Sequence, residues 1–154
     1  MRSLLIIFLP LLAIIQGCDD GALFQDSQEI SGGSWDRSEW VDFEFEMTDH
    51  EARYDMFLDV RNDNSYAYSN LYVFFHLDFP NGKQRLDTVE CILADPTGKW
   101  YGSGLGDVYD NRIRIIKGFS LPMDGEYKIR IEQGMREESL EGILDVGFRL
   151  AQSQ

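Results

Sequence analysis

The sequence predicts an all-β protein, in which a single domain forms an antiparallel β-sandwich or jelly roll. Apolar and polar residues alternate with a period of two in several short segments, as expected for strands with one buried face. Clusters of Asn, Asp, Gly and Pro separate these segments, and such residues favour tight turns. Seven or eight short strands at this spacing are typical of two packed antiparallel sheets.

The first clear strand is expected at 41–47, where apolar residues occupy every second position and acidic residues lie between them. The segment GMREESLEG at 134–142 is the only one that could make a helical turn or two. The alternation predicts later strands within 54–60, 71–79, 113–115, 127–131 and 144–150, with turns at 62–65, 80–83, 95–99 and 123–126.

Residues 1–17 are predicted to be a signal peptide that is removed. One arginine and an apolar run interrupted by Pro10 precede Cys18, and the run is shorter than the roughly 17 to 25 residues of a spanning helix. The sequence Ile-Gln-Gly-Cys resembles the lipobox of bacterial lipoproteins, in which the cysteine thiol receives a diacylglycerol and the new amino group is acylated. We therefore expect a covalent lipid on Cys18, and an ordinary secreted chain is the alternative.

The mature chain is expected to hold a lipidated N-terminus and short tether at 18–33 and one β-sandwich domain at 34–154. Loss of Arg2 with the signal peptide leaves 13 basic residues against 27 acidic ones, a formal charge of −14. Such a field repels phosphate, so nucleic acid and anionic lipid head groups are not expected as direct partners. Contact with a membrane is expected through the lipid anchor alone.

Cys91 becomes a lone thiol if Cys18 carries lipid. It alternates with Val89 and Leu93, which predicts a small apolar core residue of a strand. A disulfide between Cys18 and Cys91 is the alternative if the signal peptide is of the ordinary type, because exported compartments permit it.

The segment GSGLGD contains Gly102, Gly104 and Gly106. A dinucleotide site needs G-x-G-x-x-G between a strand and a helix, whereas these glycines precede an Asp-rich loop and strands. They are therefore expected to be structural, in a tight connection or bulge where glycine permits positive φ and close backbone approach.

A metal site is not expected. Asp107, Asp110, Asn111 and Asp124 could offer oxygen ligands to calcium, but their spacing is not that of an EF-hand loop. Solvated loop acids are the preferred interpretation.

Catalysis is not expected either. His50 and His76 are the two histidines of the chain, and no nucleophile-elbow sequence accompanies them. The acidic residues leave room for a pair of glycosidase carboxylates, but nothing in the sequence singles out two of them. No cofactor other than the covalent lipid is predicted.

Exposed aromatic side chains are the remaining candidates for function, because Trp and Tyr rings stack on sugars and anchor protein interfaces. Trp35, Trp40, Trp100, Tyr101 and Tyr109 are considered for this role. Trp100 is interpreted either as a plug at the end of the sandwich core or as a binding platform. Tyr101 is expected to face solvent. Tyr66 and Tyr68 are expected on one strand face, and the candidate partner surface consists of Tyr66, Tyr68, Tyr101, Asp107, Tyr109 and Asp110.

The chain resembles the gliding motility lipoprotein GldH family of the Bacteroidetes. The resemblance rests on RNDNSYAYSNLYVFF at 61–75, DTVECILADPTGKWYGSGLGD at 87–107 and QGMREESLEGILDVGFRL at 133–150, together with the leading cysteine and Trp35. Members more often carry Ala where Gly134 stands and Leu where Phe148 stands.

The resemblance implies a membrane-anchored accessory of the gliding machinery, which works with the type IX secretion system, and it supplies no catalytic residues. The expected act is docking or assembly with other gliding and secretion proteins of the cell envelope. A carbohydrate- or peptidoglycan-binding jelly roll is the alternative. The outer membrane is the expected location on family grounds, and the oligomeric state stays open.

Overall fold

The structure is a computed structural model that describes residues 21–154. The predicted signal peptide and Cys18 lie outside the described residues. Within them, two four-stranded antiparallel sheets and one two-stranded ribbon account for the strands. The strands are β1 (Ala22–Glu29), β2 (Ser34–Asp36), β3 (Val41–Met47), β4 (Arg53–Asp63), β5 (Asn70–Asp78), β6 (Gln84–Ile92), β7 (Val108–Ser120), β8 (Gly125–Gln133), β9 (Ser139–Glu141) and β10 (Ile143–Gln152), with a short 3-10 helix at Ser31–Gly33.

The strand order is that of a jelly roll. The first sheet has the order β1-β10-β4-β7 and the second sheet the order β3-β8-β5-β6, while β2 pairs with β9. Successive long strands therefore cross from one sheet to the other, except β5 and β6, which form a hairpin. Eight strands in two sheets connected in this way make a double Greek key. The predicted fold class is confirmed.

The inner faces of the two sheets form one hydrophobic core, because the alternating apolar residues point inward from both. Phe148 on β10 lies near its centre. Its ring centroid is 6.3 Å from that of Phe43, 6.0 Å from that of Phe45 and 5.8 Å from that of Phe75. Since Phe148 belongs to the first sheet and the other three rings to the second, these contacts join the two layers.

The predicted tether at 18–33 differs from the structure over its described part. Ala22–Glu29 pairs antiparallel with β10 along its length, and the 3-10 helix follows at Ser31–Gly33. Period-two alternation does not reveal β1, because β1 is an edge strand whose residues are mostly exposed. Phe24 is its main contribution to the core, through ring contacts with Phe45 and Phe148.

The helical turn expected at 134–142 is also wrong. Residues 139–141 form strand β9, which pairs with β2, and the preceding residues are bends. In β10, a register shift between Ile143 and Asp145 places Ile143 in the core and leaves Leu144 half-buried, so the alternation predicted from 144 onward begins only after this bulge.

The topology gives the sandwich two different ends. The loop end consists of the connections at 30–40, 64–69, 93–107 and 134–142. The terminal end consists of the shorter connections at 48–52, 79–83 and 121–124, and both described termini lie there because Ala22 pairs with Ala151.

Candidate functional site

The loop end is held together by hydrogen bonds between its connections. The Nδ2 of Asn64 donates to Oδ1 of Asp107 over 2.8 Å, and the indole Nε1 of Trp100 donates to Oδ1 of Asn64 over 3.1 Å. The Tyr68 hydroxyl donates to the Glu137 carboxylate. These bonds connect the 64–69 loop to both of its neighbours and fix the loop end as one surface.

Trp100 lies half-buried between two other rings. Its centroid is 6.4 Å from that of Tyr66 and 5.6 Å from that of Tyr109, and the side chain packs against the core. This position combines the two interpretations of Trp100, because the ring closes the core while part of it reaches solvent. Tyr101 is 64% exposed, as expected if at most one of the two adjacent rings belongs to the core.

Tyr66 and Tyr68 lie in the loop between β4 and β5, not on a strand face. Tyr66 is 3% exposed, its hydroxyl donates to the Asn70 carbonyl over 2.8 Å, and burial raises its pKa. The structure thus removes Tyr66 from the candidate partner surface. Tyr68 is half-buried, and its hydrogen bond lowers the pKa of Glu137.

The two remaining tryptophan candidates differ in burial. Trp35 is fully buried, and its Nε1 donates to the Glu39 carbonyl over 2.8 Å, so it is a core residue. Trp40 is exposed, with the Arg130 guanidinium 4.1 Å from the ring centroid, which is a cation–π contact.

The glycine segment is a tight connection, and its glycines act in different ways. A Cβ at Gly104 would lie 2.0 Å from the carbonyl oxygen of Val108, and one at Gly102 would lie 2.8 Å from Oδ1 of Asn111. Gly106 has a φ of 68° and open space around it. Close approach therefore requires the first two glycines, and backbone conformation requires the third.

The four residues considered for calcium do not converge. Asp107 accepts from Asn64, and Asp110 pairs with Arg61 at 2.6 Å. Asn111 is buried and donates to Oδ1 of Asn62 over 2.9 Å, so it is not a solvated loop residue. Asp124 lies at the terminal end beside His50. Within residues 21–154, no group of three or more His, Cys, Asp or Glu residues is placed to hold a metal ion.

The most exposed apolar residue of the loop end is one that the sequence did not single out. Leu105, at the tip of the glycine segment, is 92% exposed. It borders an open groove of about 810 Å³ that Ile30, Leu144 and several carboxylates also line. A leucine between two glycines in a turn was the available signal, because such a residue has no neighbour to cover it.

Cys91 is confirmed as a core residue. It is fully buried and is the free cysteine of the described chain. Burial raises the pKa of its thiol to about 12. The thiol is therefore protonated at neutral pH and is a poor nucleophile.

Comparison with known proteins identifies the family. Residues 22–150 match the family described as GldH lipoprotein. The chain belongs to this family. The GldH match extends from the first residue of β1 to near the end of β10, so it covers the whole jelly roll.

Two curated GldH relatives agree with this assignment. The gliding motility lipoprotein GldH homolog of Christiangramia forsetii is 35% identical over 99% of both chains. The gliding motility lipoprotein GldH of Flavobacterium johnsoniae is 30% identical over 90% of both chains. The resemblance inferred from the sequence is thereby confirmed.

Solved structures give weaker matches. They include the VP2 subviral particle of infectious bursal disease virus, at 11% identity and a TM-score of 0.37 over 85% of this chain, and the Gx strain of that virus, at 10% identity and a TM-score of 0.34 over 84%. This GldH chain spans 30% and 29% of the length of those viral chains. These scores are too low to bear on function.

Across residues 21–154, no helix has the length and hydropathy needed to cross a membrane. The family name agrees with the lipoprotein predicted from the Ile-Gln-Gly-Cys sequence, although Cys18 itself lies outside the described residues.

Proposed function

We propose that this protein is a lipid-anchored, non-enzymatic assembly component of the gliding machinery linked to type IX secretion, and that it docks another envelope protein. The observation that carries the proposal is the position of the loop end. Its connections are joined by hydrogen bonds, Leu105 and Tyr101 are exposed on it, and it lies opposite the end at which the chain enters the domain. Family membership supports the link to gliding motility, and the geometry of the loop end supports a docking role.

The distance from the anchor to the domain is short. Cys18 and Gly21 are three residues apart, a span of at most about 11 Å, and the Gly21 carbonyl accepts a hydrogen bond from the Gln152 amide at the terminal end. A lipid on Cys18 therefore holds the terminal end at the membrane surface. Strand β4 has 11 residues, so the loop end extends up to roughly 35 Å from that surface.

The placement of the histidines supports a non-enzymatic role. His50 pairs with Asp124 at the terminal end, and His76 faces Glu132 on the outer face of the second sheet. In the part of the chain that the structure describes, the ion-pair partner of each imidazole is a carboxylate, not a Ser, Thr or Cys side chain. A serine or cysteine nucleophile activated by a histidine base would need a contact of that kind.

The carbohydrate-binding alternative has less support, because a sugar platform needs an open aromatic face. The Trp100 ring is packed against Tyr66 and Tyr109, which leaves its faces largely occupied. Tyr101 remains exposed and could stack on a sugar.

Four substitutions, made in cells that carry the protein, test the proposal. Cys18→Ser should release the protein from the membrane and abolish gliding. Leu105→Asp should leave the protein folded and anchored but impair gliding, whereas the control Leu23→Asp, at an exposed leucine on β1, should glide normally. Normal gliding of the double variant that combines Leu105→Asp and Tyr101→Ala would overturn docking at the loop end. Binding of peptidoglycan fragments by purified wild type, lost in Tyr101→Ala, would favour the carbohydrate alternative.

A further inference from the structure

Large apolar side chains are exposed unequally on the two outer faces of the sandwich. On the second sheet, Tyr72 and Phe74 of β5 and Leu86 and Ile92 of β6 are between 36% and 59% exposed. We call these four residues the apolar patch. On the first sheet, the exposed large apolar residue of the described strands is Leu23, at the edge.

The four residues of the patch form one surface. Tyr72 and Phe74 are two residues apart on β5, so both point outward, and Leu86 and Ile92 share their face on β6 because of the pairing of His76 with Leu86 and of Asn70 with Ile92. Leu86 is thus the diagonal neighbour of Phe74, and Ile92 is the diagonal neighbour of Tyr72. Diagonal neighbours on one face lie about 7 to 8 Å apart, within reach of large side chains. A contiguous exposed apolar surface of this kind is characteristic of interaction sites.

The outer face of the first sheet has paired charged side chains at its centre in place of exposed apolar ones. Arg61 contacts Asp110 at 2.6 Å and Asp145 at 3.2 Å, and Arg112 contacts Asp59 at 2.8 Å. These ion pairs connect β4 to β7 and β10. The charged groups named here therefore already have partners within the protein.

The patch is continuous with the loop end. Ile92 is the last residue of β6, and the next residue, Leu93, accepts a hydrogen bond at its carbonyl from the Tyr101 amide over 2.8 Å. The thioether sulfur of Met135, from the 134–142 connection, lies 3.3 Å from the Tyr72 amide nitrogen. The loop-end residues next to the patch are therefore Tyr101 and Met135.

The charges around the apolar patch indicate which kind of protein can bind there. Glu90 lies opposite Tyr72 and accepts a hydrogen bond from Nδ2 of Asn70 over 2.7 Å. Glu132 lies opposite Phe74, with Nε2 of His76 2.9 Å from its carboxylate. The basic residues farther across the same face, Lys128 and Arg130, pair with Glu44 and Asp42. A second copy of the chain would bring the same acidic rim and the same mature charge of −14. Like charges facing one another oppose such a dimer.

We propose that the apolar patch binds a partner protein whose own surface has an apolar centre and a rim of Lys and Arg residues. The inference rests on the proposed docking function and deepens it, because it extends the docking surface from the loop end onto β5 and β6. Apolar contact supplies affinity at the centre, and the opposite charges at the rim supply orientation and a faster encounter.

The test uses the full chain in cells that carry it, with a photo-crosslinking amino acid at position 86, 105 or 23. Position 86 reports on the patch, position 105 on the loop end, and position 23 is the matched exposed leucine on the other sheet. Crosslinked proteins are identified by mass spectrometry. The partner captured at position 86 is then purified, and its Kd is measured with wild type, Leu86→Glu and Leu23→Glu between low and high salt.

The expected result is capture at positions 86 and 105 but not 23, with a Kd raised about tenfold or more by Leu86→Glu, which corresponds to roughly 1.4 kcal/mol. The Kd for wild type should also rise with salt, because the rim charges are exposed. Leu23→Glu should leave it unchanged, and equal melting temperatures of the two variants confirm that both are folded.

Other outcomes overturn the inference. Capture at position 105 alone contradicts the patch but leaves the proposed function standing, whereas capture at none of the positions contradicts both. Crosslinks from position 86 to a second copy of this chain, or a captured partner whose Kd neither Leu86→Glu nor salt changes, contradict the proposed partner chemistry.

Discussion

Gly142 and the backbone of Tyr66 are in direct contact at the loop end. A Cβ at Gly142 would lie 2.3 Å from the Tyr66 amide nitrogen, and the φ of Gly142 is +85°. The Gly142 amide also donates to the Gly33 carbonyl over 2.8 Å, and the Gly142 carbonyl accepts from the Asp63 amide over 2.9 Å. Three connections of the loop end therefore meet at a residue that must lack a side chain.

Gly142→Ala should consequently lower the free energy of unfolding by about 2 kcal/mol or more, since it combines a left-handed backbone with a backbone clash. Chemical denaturation measures the loss. Gly82→Ala is the matched control, because Gly82 has a φ of +80° and nothing near its Cβ position, and it should cost only about 1 kcal/mol. Equal losses in the two variants would mean that the loops do not meet closely at Gly142.

The glycine segment gives a second pair of variants. Gly104→Ala should destabilise the domain more than Gly106→Ala. The first substitution places a Cβ against the backbone oxygen of Val108. The second only forces alanine into a positive φ, which costs about 1 to 3 kcal/mol of folding free energy. Thermal melting of the purified proteins ranks them. If Gly104→Val melted like wild type but lost partner binding, the segment would be a contact surface instead of a structural connection.

Much of the fold could be predicted from the sequence because burial on one face imposes alternation. The strands β3, β5 and β8 have this pattern almost without interruption. The pattern does not predict β1, because an edge strand that contributes one ring to the core needs no alternation. In β10 the alternation begins later than predicted, because the sequence pattern does not reveal the bulge between Ile143 and Asp145. The pairing of β2 with β9 depends on chain segments far apart in sequence.

The candidate site was less predictable, because exposure of a ring depends on which loop covers it. Tyr66 and Tyr68 are two residues apart, yet one is buried and the other reaches Glu137. Alternation suggested one shared face, but these residues are not in a strand. The apolar patch was hidden for a related reason: Tyr72 and Phe74 occupy the outward positions of β5, and alternation assigns such positions to solvent.

Three aromatic substitutions should separate core from surface at the loop end. Trp35→Ala should cost roughly 3 to 5 kcal/mol, because the fully buried side chain leaves a cavity. Trp100→Ala should cost less, about 2 to 3 kcal/mol, since the ring is half-buried. Tyr101→Ala should stay within about 0.5 kcal/mol of wild type. Chemical denaturation curves measure the free energy of unfolding of each variant. A loss of stability for Tyr101→Ala equal to that for Trp100→Ala would contradict this order.

At the terminal end, Nδ1 of His50 lies 2.8 Å from Oδ1 of Asp124 and joins the connections at 48–52 and 121–124. The hydrogen bond and charge of Asp124 raise the pKa of His50 above its ordinary value of 6.5. A raised pKa in the folded state means that the stabilisation is complete below about pH 6.5 and is lost as pH rises through the folded pKa. Both side chains are about half exposed, so the effect is expected to be small.

The melting temperature of His50→Gln should therefore fall below that of wild type at pH 5.5, and the gap should narrow as pH rises toward 9 and wild-type His50 loses its proton. The double variant with Asp124→Asn separates this pair from other effects of pH. The coupling between the two substitutions should be larger at pH 5.5 than at pH 9, because the charged imidazolium adds ionic attraction to a hydrogen bond that a neutral Nδ1–H can also donate. A gap of the same size at both pH values would show that the contact between the two loops does not depend on the charge of His50.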